Sequence, residues 1–370
     1  MTKPIFSVLF LFFLSLSPAF AQNHAFREAL EPFVTNGDFA GILTVVADRD
    51  KVLQVDAMGY RDLENKLPMQ TDSLFRIASQ TKTITAAAVM MLVEEGKISL
   101  AEPISTYLPE LADIRVVAER DDKHTLLVPP NEPVTLVNLL NHSSGWTKLG
   151  LFPAGDAVPQ HYQFLAWAMT PLDHHPNTKH VYSSVGYTLA AKVIEKVSGL
   201  PYDRFLQRRI FDPLEMTNTT FWPTPRQLEN RIVRYDWDKE ANKLQRTDLG
   251  TGAALDNRRE RFAVPAGGLF STADDLVKFW QMILGEGTYK GKQLLKPESV
   301  REMGKKHPGN PLPSYQLGVT WRGDAFGHDG AGGTRSLVHP KKDRAFLYVV
   351  QENVPKSNDA RNAFLNVVLE

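Results

Sequence analysis

The spacing of apolar and polar residues divides the chain into a series of predicted elements. Residues 25–34 carry apolar side chains at helical spacing and read as a helix. Residues 39–47 and 52–60 are apolar and rich in β-formers, and the polar turn Asp48-Arg49-Asp50-Lys51 separates them, so they are expected to pair as an antiparallel hairpin. A short extended run, 73–77, gives way to a strongly helical one, 83–95, that ends near Gly96. In it, Ala86, Val89, Met90 and Val93 form a stripe that reads as core. A long middle region rich in Pro, His and Asp holds helical pieces at Leu136–Leu140, 160–169 and 185–197, the last closed by Gly199 and Pro201. Ala273–Leu284 is a further helix, with Ser271 or Thr272 as N-cap and Asp274 and Asp275 in its first turn. Residues 336–339 and 345–351 read as strands and 359–369 as a closing helix. Strands toward both ends with helices between predict an α/β (α+β) architecture. An antiparallel sheet is built from both chain termini and flanked by helices, and a mostly helical lobe is inserted in the middle.

Composition narrows the setting. The chain has 370 residues, 43% hydrophobic and 23% charged, which is ordinary globular composition without a fixed-period repeat. Formal net charge is zero, so no basic excess points to nucleic acid. Residues 1–21 combine Lys3, an apolar run from Ile5 to Ser17, and Pro18-Ala19-Phe20-Ala21 with small residues ahead of a cut after Ala21. They read as a secretory signal peptide, because about thirteen apolar residues are too few to span a bilayer. No later segment is apolar enough to cross one. The expectation is a secreted or periplasmic protein whose mature part is 22–370, with no stable membrane span after cleavage. There is no cysteine, which rules out disulfides, thiol catalysis and thiolate metal sites.

The sharpest chemical signal is Ser79-Gln80-Thr81-Lys82, at the point where the extended run meets the helix. Positions three apart share a helix face, so the Ser79 hydroxyl and the Lys82 amine are placed together. A serine hydroxyl becomes a nucleophile when a neighbouring amine, partly deprotonated by burial, takes its proton. Two further stretches are candidate companions. Tyr182-Ser183-Ser184 precedes a helix, and in an extended segment Tyr182 and Ser184 face one side. A phenol beside an ammonium group has a lowered pKa and serves as a base. On its own this stretch reads rather as an ordinary helix entry, with Tyr182 in the core and Ser184 as N-cap. Gly327-His328-Asp329-Gly330-Ala331-Gly332-Gly333 precedes a strand, and its backbone can approach a ligand closely or simply turn.

Taken in order, the three stretches resemble the active-site triplet of serine β-lactamases and penicillin-binding proteins, S-x-x-K, Ser/Tyr-x-Asn and K-T-G. Tyr182 and His328 resemble the class C β-lactamase, D,D-peptidase and esterase branch. Residues 139–146 (LLNHSSGW), 182–199 (YSSVGYTLAAKVIEKVSG) and 265–276 (PAGGLFSTADDL) are similar to the same family. The resemblance implies a β-lactamase/transpeptidase-like fold, with an α/β lobe about 22–80 and 265–370 and a helical lobe about 81–264. It also implies an acyl-enzyme mechanism with no metal or organic cofactor, acting on a small-molecule or peptide substrate such as an ester, a D-amino-acid amide, a β-lactam or a cell-wall fragment. Ser79 then corresponds to the acylated nucleophile, Lys82 to its proton partner and Tyr182 to the general base. His328 stands where the family often has lysine, and the N–H groups of Ser79 and Ala331 form the oxyanion hole.

Ser184 replaces the usual Asn, His328 a permanent cation, and Asp329 a Thr beside the place where the family holds a substrate carboxylate. With Ser184, Asp329 and Gly330 as substrate-binding positions, Asp329 is expected to repel an anion. An ester, a neutral acyl compound or an amine-bearing peptide is then expected over a bicyclic β-lactam or a D-Ala-D-Ala terminus. The alternative reading is a non-turnover penicillin- or peptidoglycan-binding sensor of the same fold. His142-Ser143-Ser144-Gly145 is read as a structural landmark, and His174, His175 and His180 as a cleft rim rather than a zinc site. Trp146, Trp167 and Trp321 either line the cleft or fill the lobes.

Overall fold

The apolar, β-branched run at Gly41–Ala47 forms β1, a strand buried along its whole length, which only a central position in a sheet provides. It pairs antiparallel with β2 (Val52–Asp62), Leu43 lying opposite Ala57, and β2 continues to β3 (Leu67–Pro68). On its other edge β1 pairs with a strand from far along the chain. The distal part supplies β4 (Thr320–Arg322), β5 (Ala325–Asp329), β6 (Arg335–His339) and β7 (Arg344–Val349). The 7-stranded antiparallel sheet runs β4-β5-β6-β7-β1-β2-β3, with Leu43 opposite Val349 at the junction. The computed structural model describes residues 18–147, 160–247 and 255–370. The apolar run 5–17, and with it most of the signal-peptide reading, lies outside the described residues.

Helices cover both faces of the sheet. On one face α1 (Pro18–Thr35) packs against the helix 357–369, burying Phe26, Leu30, Phe346, Tyr348 and Phe364 together. On the other lie α2 (Thr81–Glu94), buried from Thr81 to Leu92, then α3 (Val185–Ser198) and α4 (Ala273–Leu284). Ala86, Val89 and Met90 are core, as the stripe predicts. Helix α3 ends at Gly199, whose φ of 70° is the left-handed conformation glycine takes freely. Thr272 rather than Ser271 caps α4, its hydroxyl accepting from the Asp275 N–H at 3.2 Å. The distal helix Ser357–Leu369 is designated α5. Among the described residues no helix is long and apolar enough to cross a membrane.

Three features depart from the sequence reading. Gly327, His328 and Asp329 are not a turn but part of β5, with His328 opposite Ser336. The middle of the chain contains two hairpins, Val116–Arg120 with Thr125–Val128 and Arg234–Asp238 with Lys243–Thr247. The second of these also pairs in parallel with Glu352–Asn353. These strands are only four or five residues long, and of the four only Arg234–Asp238 alternates polar with apolar residues, so the pattern is too brief to read. The Glu352 N–H donates to the Gly332 carbonyl at 2.8 Å, and its carboxylate accepts from the Ala40 N–H at 2.9 Å. Burial pushes this carboxyl up to about 8.

Candidate active site

The chain reaches Ser79 through a bent backbone. Ala78 has φ of 46°, the left-handed region that a non-glycine residue occupies at a cost of roughly 1–3 kcal/mol. Ala78–Gln80 then form a single tight turn that leads into α2. Lys82, on the first turn of that helix, is 1% exposed, and its Nζ lies 3.3 Å from Ser79 Oγ and 2.6 Å from the Ala266 carbonyl. No carboxylate balances it among these contacts. Burial alone drives its pKa down to about 7, so near neutral pH about half of the amine is free to accept a proton.

Tyr182 joins this pair. Its hydroxyl hydrogen-bonds Ser79, and the Lys82 Nζ stands 4.8 Å from its ring centre. The phenol does not become a base by the expected route. The residue is 48% exposed overall, yet desolvation at its hydroxyl end pushes its pKa up to about 12. The amine beside it is itself half neutral and faces the ring rather than the oxygen, so its field does not offset that burial. Ser184 differs as well. Its φ of −78° and ψ of −17° are already helical, so the two-residue alternation of an extended strand does not apply. It does not line the pocket that Tyr182 lines, and its side chain makes no capping hydrogen bond.

The third stretch reaches Ser79 through β5. A Cβ on Gly330 would lie 2.5 Å from the Ile77 carbonyl oxygen and 2.2 Å from Thr334 Oγ1, so only glycine lets this backbone run against the one that carries Ser79. His328 is buried, its Nδ1 2.6 Å from the Asp329 carbonyl and its Nε2 3.0 Å from the Tyr315 hydroxyl. Burial lowers it to about 4, so it is a neutral ring at the position where the resemblance implies a lysine. Asp329 is not a free anion. Arg335 binds both of its oxygens, at 2.7 and 2.9 Å, and Arg322 adds a contact at 2.8 Å. The expected repulsion of a substrate carboxylate is therefore absent, because the charge is already overmatched.

Ser79, Tyr182, His328, Asp329, Gly330 and Ala331 line one open pocket of about 460 Å³. Tyr315, His180, Arg322 and Arg361 line it too. Of the histidines read as a rim, His180 is there, whereas His174 is buried with its Nδ1 2.9 Å from the His175 carbonyl. Among the described residues no group of three His, Asp or Glu side chains is placed to hold a metal. Trp146 and Trp167 are buried in the main core, and Trp321 packs 4.8 Å from Phe326; none lines the pocket.

The sequence pattern of the family described as Beta-lactamase matches residues 26–370. This chain belongs to the beta-lactamase family. It is a serine hydrolase of that fold, and relatives agree across its length. An uncharacterized protein of Mycobacterium tuberculosis is 32% identical over 365 residues, covering 88% of this chain and 89% of its own. Lovastatin esterase of Penicillium rubens is 36% identical over 255 residues, covering 66% of this chain and 62% of its own. Simvastatin synthase from Aspergillus terreus superposes with a TM-score of 0.75 at 22% identity, covering 93% of this chain and 96% of that one, a likeness of fold. Within this family site, sequence reasoning missed Tyr315, Arg322 and Arg361, which stand in no motif. It also read the His142 loop as a landmark only, although His142 lies 4.3 Å from Tyr182, ring centre to ring centre. Its position in LLNHSSGW was the one available signal.

Proposed function

We propose that this beta-lactamase family member is an exported acyl hydrolase that cleaves esters, and amides more slowly, through an acyl-enzyme on Ser79. The observation that carries this reading is the Ser79 hydroxyl 3.3 Å from an amine whose pKa burial brings to about 7. In the proposed first step Ser79 Oγ attacks the carbonyl carbon and its proton passes to neutral Lys82. The developing oxyanion rests on the Ser79 and Ala331 N–H groups, a contribution of about 3–4 kcal/mol in such sites. Tyr182, protonated at neutral pH, gives its proton to the leaving oxygen or nitrogen and recovers one from the Lys82 ammonium. Water then repeats the sequence on the acyl group and frees Ser79. The esterase name of the Penicillium relative favours the ester reading.

Arg322 and Arg361 at the pocket, against an Asp329 already bound by Arg322 and Arg335, favour substrates that carry a carboxylate or another anion. The test is a panel of purified-protein assays: short acyl esters with and without a carboxylate, D-amino-acid amides and a chromogenic cephalosporin. Turnover of esters, with a lower KM for the anionic member of each pair, is expected. Ser79→Ala is expected to lose at least about 10³-fold in kcat. Activity retained by Ser79→Ala would overturn the reading, and a lasting adduct without turnover would favour the sensor alternative. N-terminal sequencing of protein recovered outside the cytoplasm checks export and the cut after Ala21.

A further inference from the structure

Three buried side chains that the proposed steps do not use form a chain beside the pocket. Their hydrogens are set by backbone groups that have a single role. The Ser183 N–H can only donate, and it lies 3.1 Å from His142 Nδ1. A neutral His142 therefore carries its hydrogen on Nε2, which is 3.1 Å from the Tyr315 hydroxyl. The Asp329 carbonyl can only accept, and it lies 2.6 Å from His328 Nδ1. That nitrogen therefore carries the hydrogen, and His328 Nε2 is left as an acceptor 3.0 Å from the same hydroxyl. Both rings are neutral, because burial lowers their pKa values. The Tyr187 hydroxyl is committed to the Leu140 carbonyl at 2.7 Å. One pattern satisfies every partner: His142 donates to Tyr315, Tyr315 donates to His328, and His328 donates to the Asp329 carbonyl.

The final acceptor gives the chain its purpose. The Asp329 carbonyl and the Gly330 N–H belong to one peptide group, and that N–H donates to the Thr334 carbonyl at 2.7 Å. The peptide is held at both edges, and the next N–H along the backbone is that of Ala331. We propose that Tyr315 is a positioning residue for acyl transfer: by donating to Nε2 it holds in place the His328 ring whose Nδ1–H grips the Asp329 carbonyl, so that the peptide that aims the Ala331 N–H is fixed, and it ties the Tyr182 loop to the β5 loop. The role assigned to Ala331 rests on the function proposed above. The tautomers do not.

The experiment has two arms. The first is ¹⁵N NMR of the whole protein labelled at histidine. Nδ1–H on His328 and Nε2–H on His142 are expected, and the opposite form on either ring overturns the proposal. The second is Tyr315→Phe, which keeps the ring in contact with His142, His180 and His328 and removes only the hydroxyl. With the best ester, kcat is expected to fall by roughly 10- to 100-fold while KM changes less than about threefold. The His328 Nε2 signal is expected to shift as it loses its donor, while Nδ1–H, held by the Asp329 carbonyl, persists. A variant with wild-type kcat and an unchanged His328 signal overturns the proposal. Should Tyr315→Phe fail to fold, the wild-type spectrum alone decides. Activity surviving in Ser79→Ala with the expected tautomers would sink the function and leave the relay standing.

Discussion

At the scale of single residues, the division of labour turns on where two protons sit. Lys82 has lost its charge in about half of the molecules near pH 7, and Tyr182 holds its proton up to about 12. If neutral Lys82 is the base, kcat/KM for an ester rises through an apparent pKa near 7 and stays level well into the alkaline range. If the Tyr182 phenolate were the base, activity would instead climb toward pH 12. A pH–rate profile from 5 to 10 separates them, and Lys82→Met is expected to abolish the limb near 7 together with the activity. Asp329 teaches a related point. A carboxylate in a list of residues reads as repulsive to anions, whereas the same carboxylate between Arg322 and Arg335 is the smaller part of a positive surface.

At the scale of elements, two loops must run very close for the site to exist. Gly330→Ala places a methyl 2.5 Å from the Ile77 carbonyl oxygen, a backbone atom that cannot rotate away. The variant is expected to lose about 1–3 kcal/mol in urea unfolding and to acylate far more slowly, as the turn that carries Ala331 is pushed off Ser79. Gly267→Ala is the control: its nearest neighbours, also on Ala78 and Ser79, would be at 3.5 Å or more, so stability and rate are expected to stay near wild type. Equal losses in both variants would show that the close approach is not the cause. The same elements show what the sequence discloses. Helices α2, α3 and α4 and the β1–β2 hairpin were legible because periodicity, caps and turns are local signals. Ser79, Lys82 and Tyr182 were legible because they stand in motifs. Strand β5 was not, because it holds Gly327, His328 and Asp329 and is stabilised by a partner it meets only in the fold. Tyr315, Arg322 and Arg361 were hidden for the same reason, and the raised pKa of Tyr182 depends on burial that no local pattern encodes.

At the scale of the whole molecule, Glu352 joins parts of the chain that are remote from one another. Its carboxyl meets the N–H of Ala40, its own N–H meets Gly332, and its second oxygen is buried without a partner. Its pKa is raised from 4.5 to about 8, so the folded protein keeps a proton that the unfolded chain releases. This stabilisation is complete below pH 4.5 and is lost as pH rises toward 8, at about 1.4 kcal/mol per pH unit. Lys82, lowered from 10.5 to about 7, works in the opposite sense: its contribution grows with pH only above about 7. Glu352→Gln, neutral in both states, isolates the first effect. The melting temperature of the variant minus that of wild type is expected to increase from pH 5 to pH 8; a flat difference would refute it. The order of the sheet carries one more consequence. Strand β1 is finished early in synthesis, but its second neighbour, β7, arrives some 300 residues later. The hydroxyl at position 79 is made long before residue 331 exists to receive the charge that its attack would create in the proposed reaction. A chain cut short between those two points would carry the proposed nucleophile without its proposed oxyanion partner, so fragments of that length are expected to be silent.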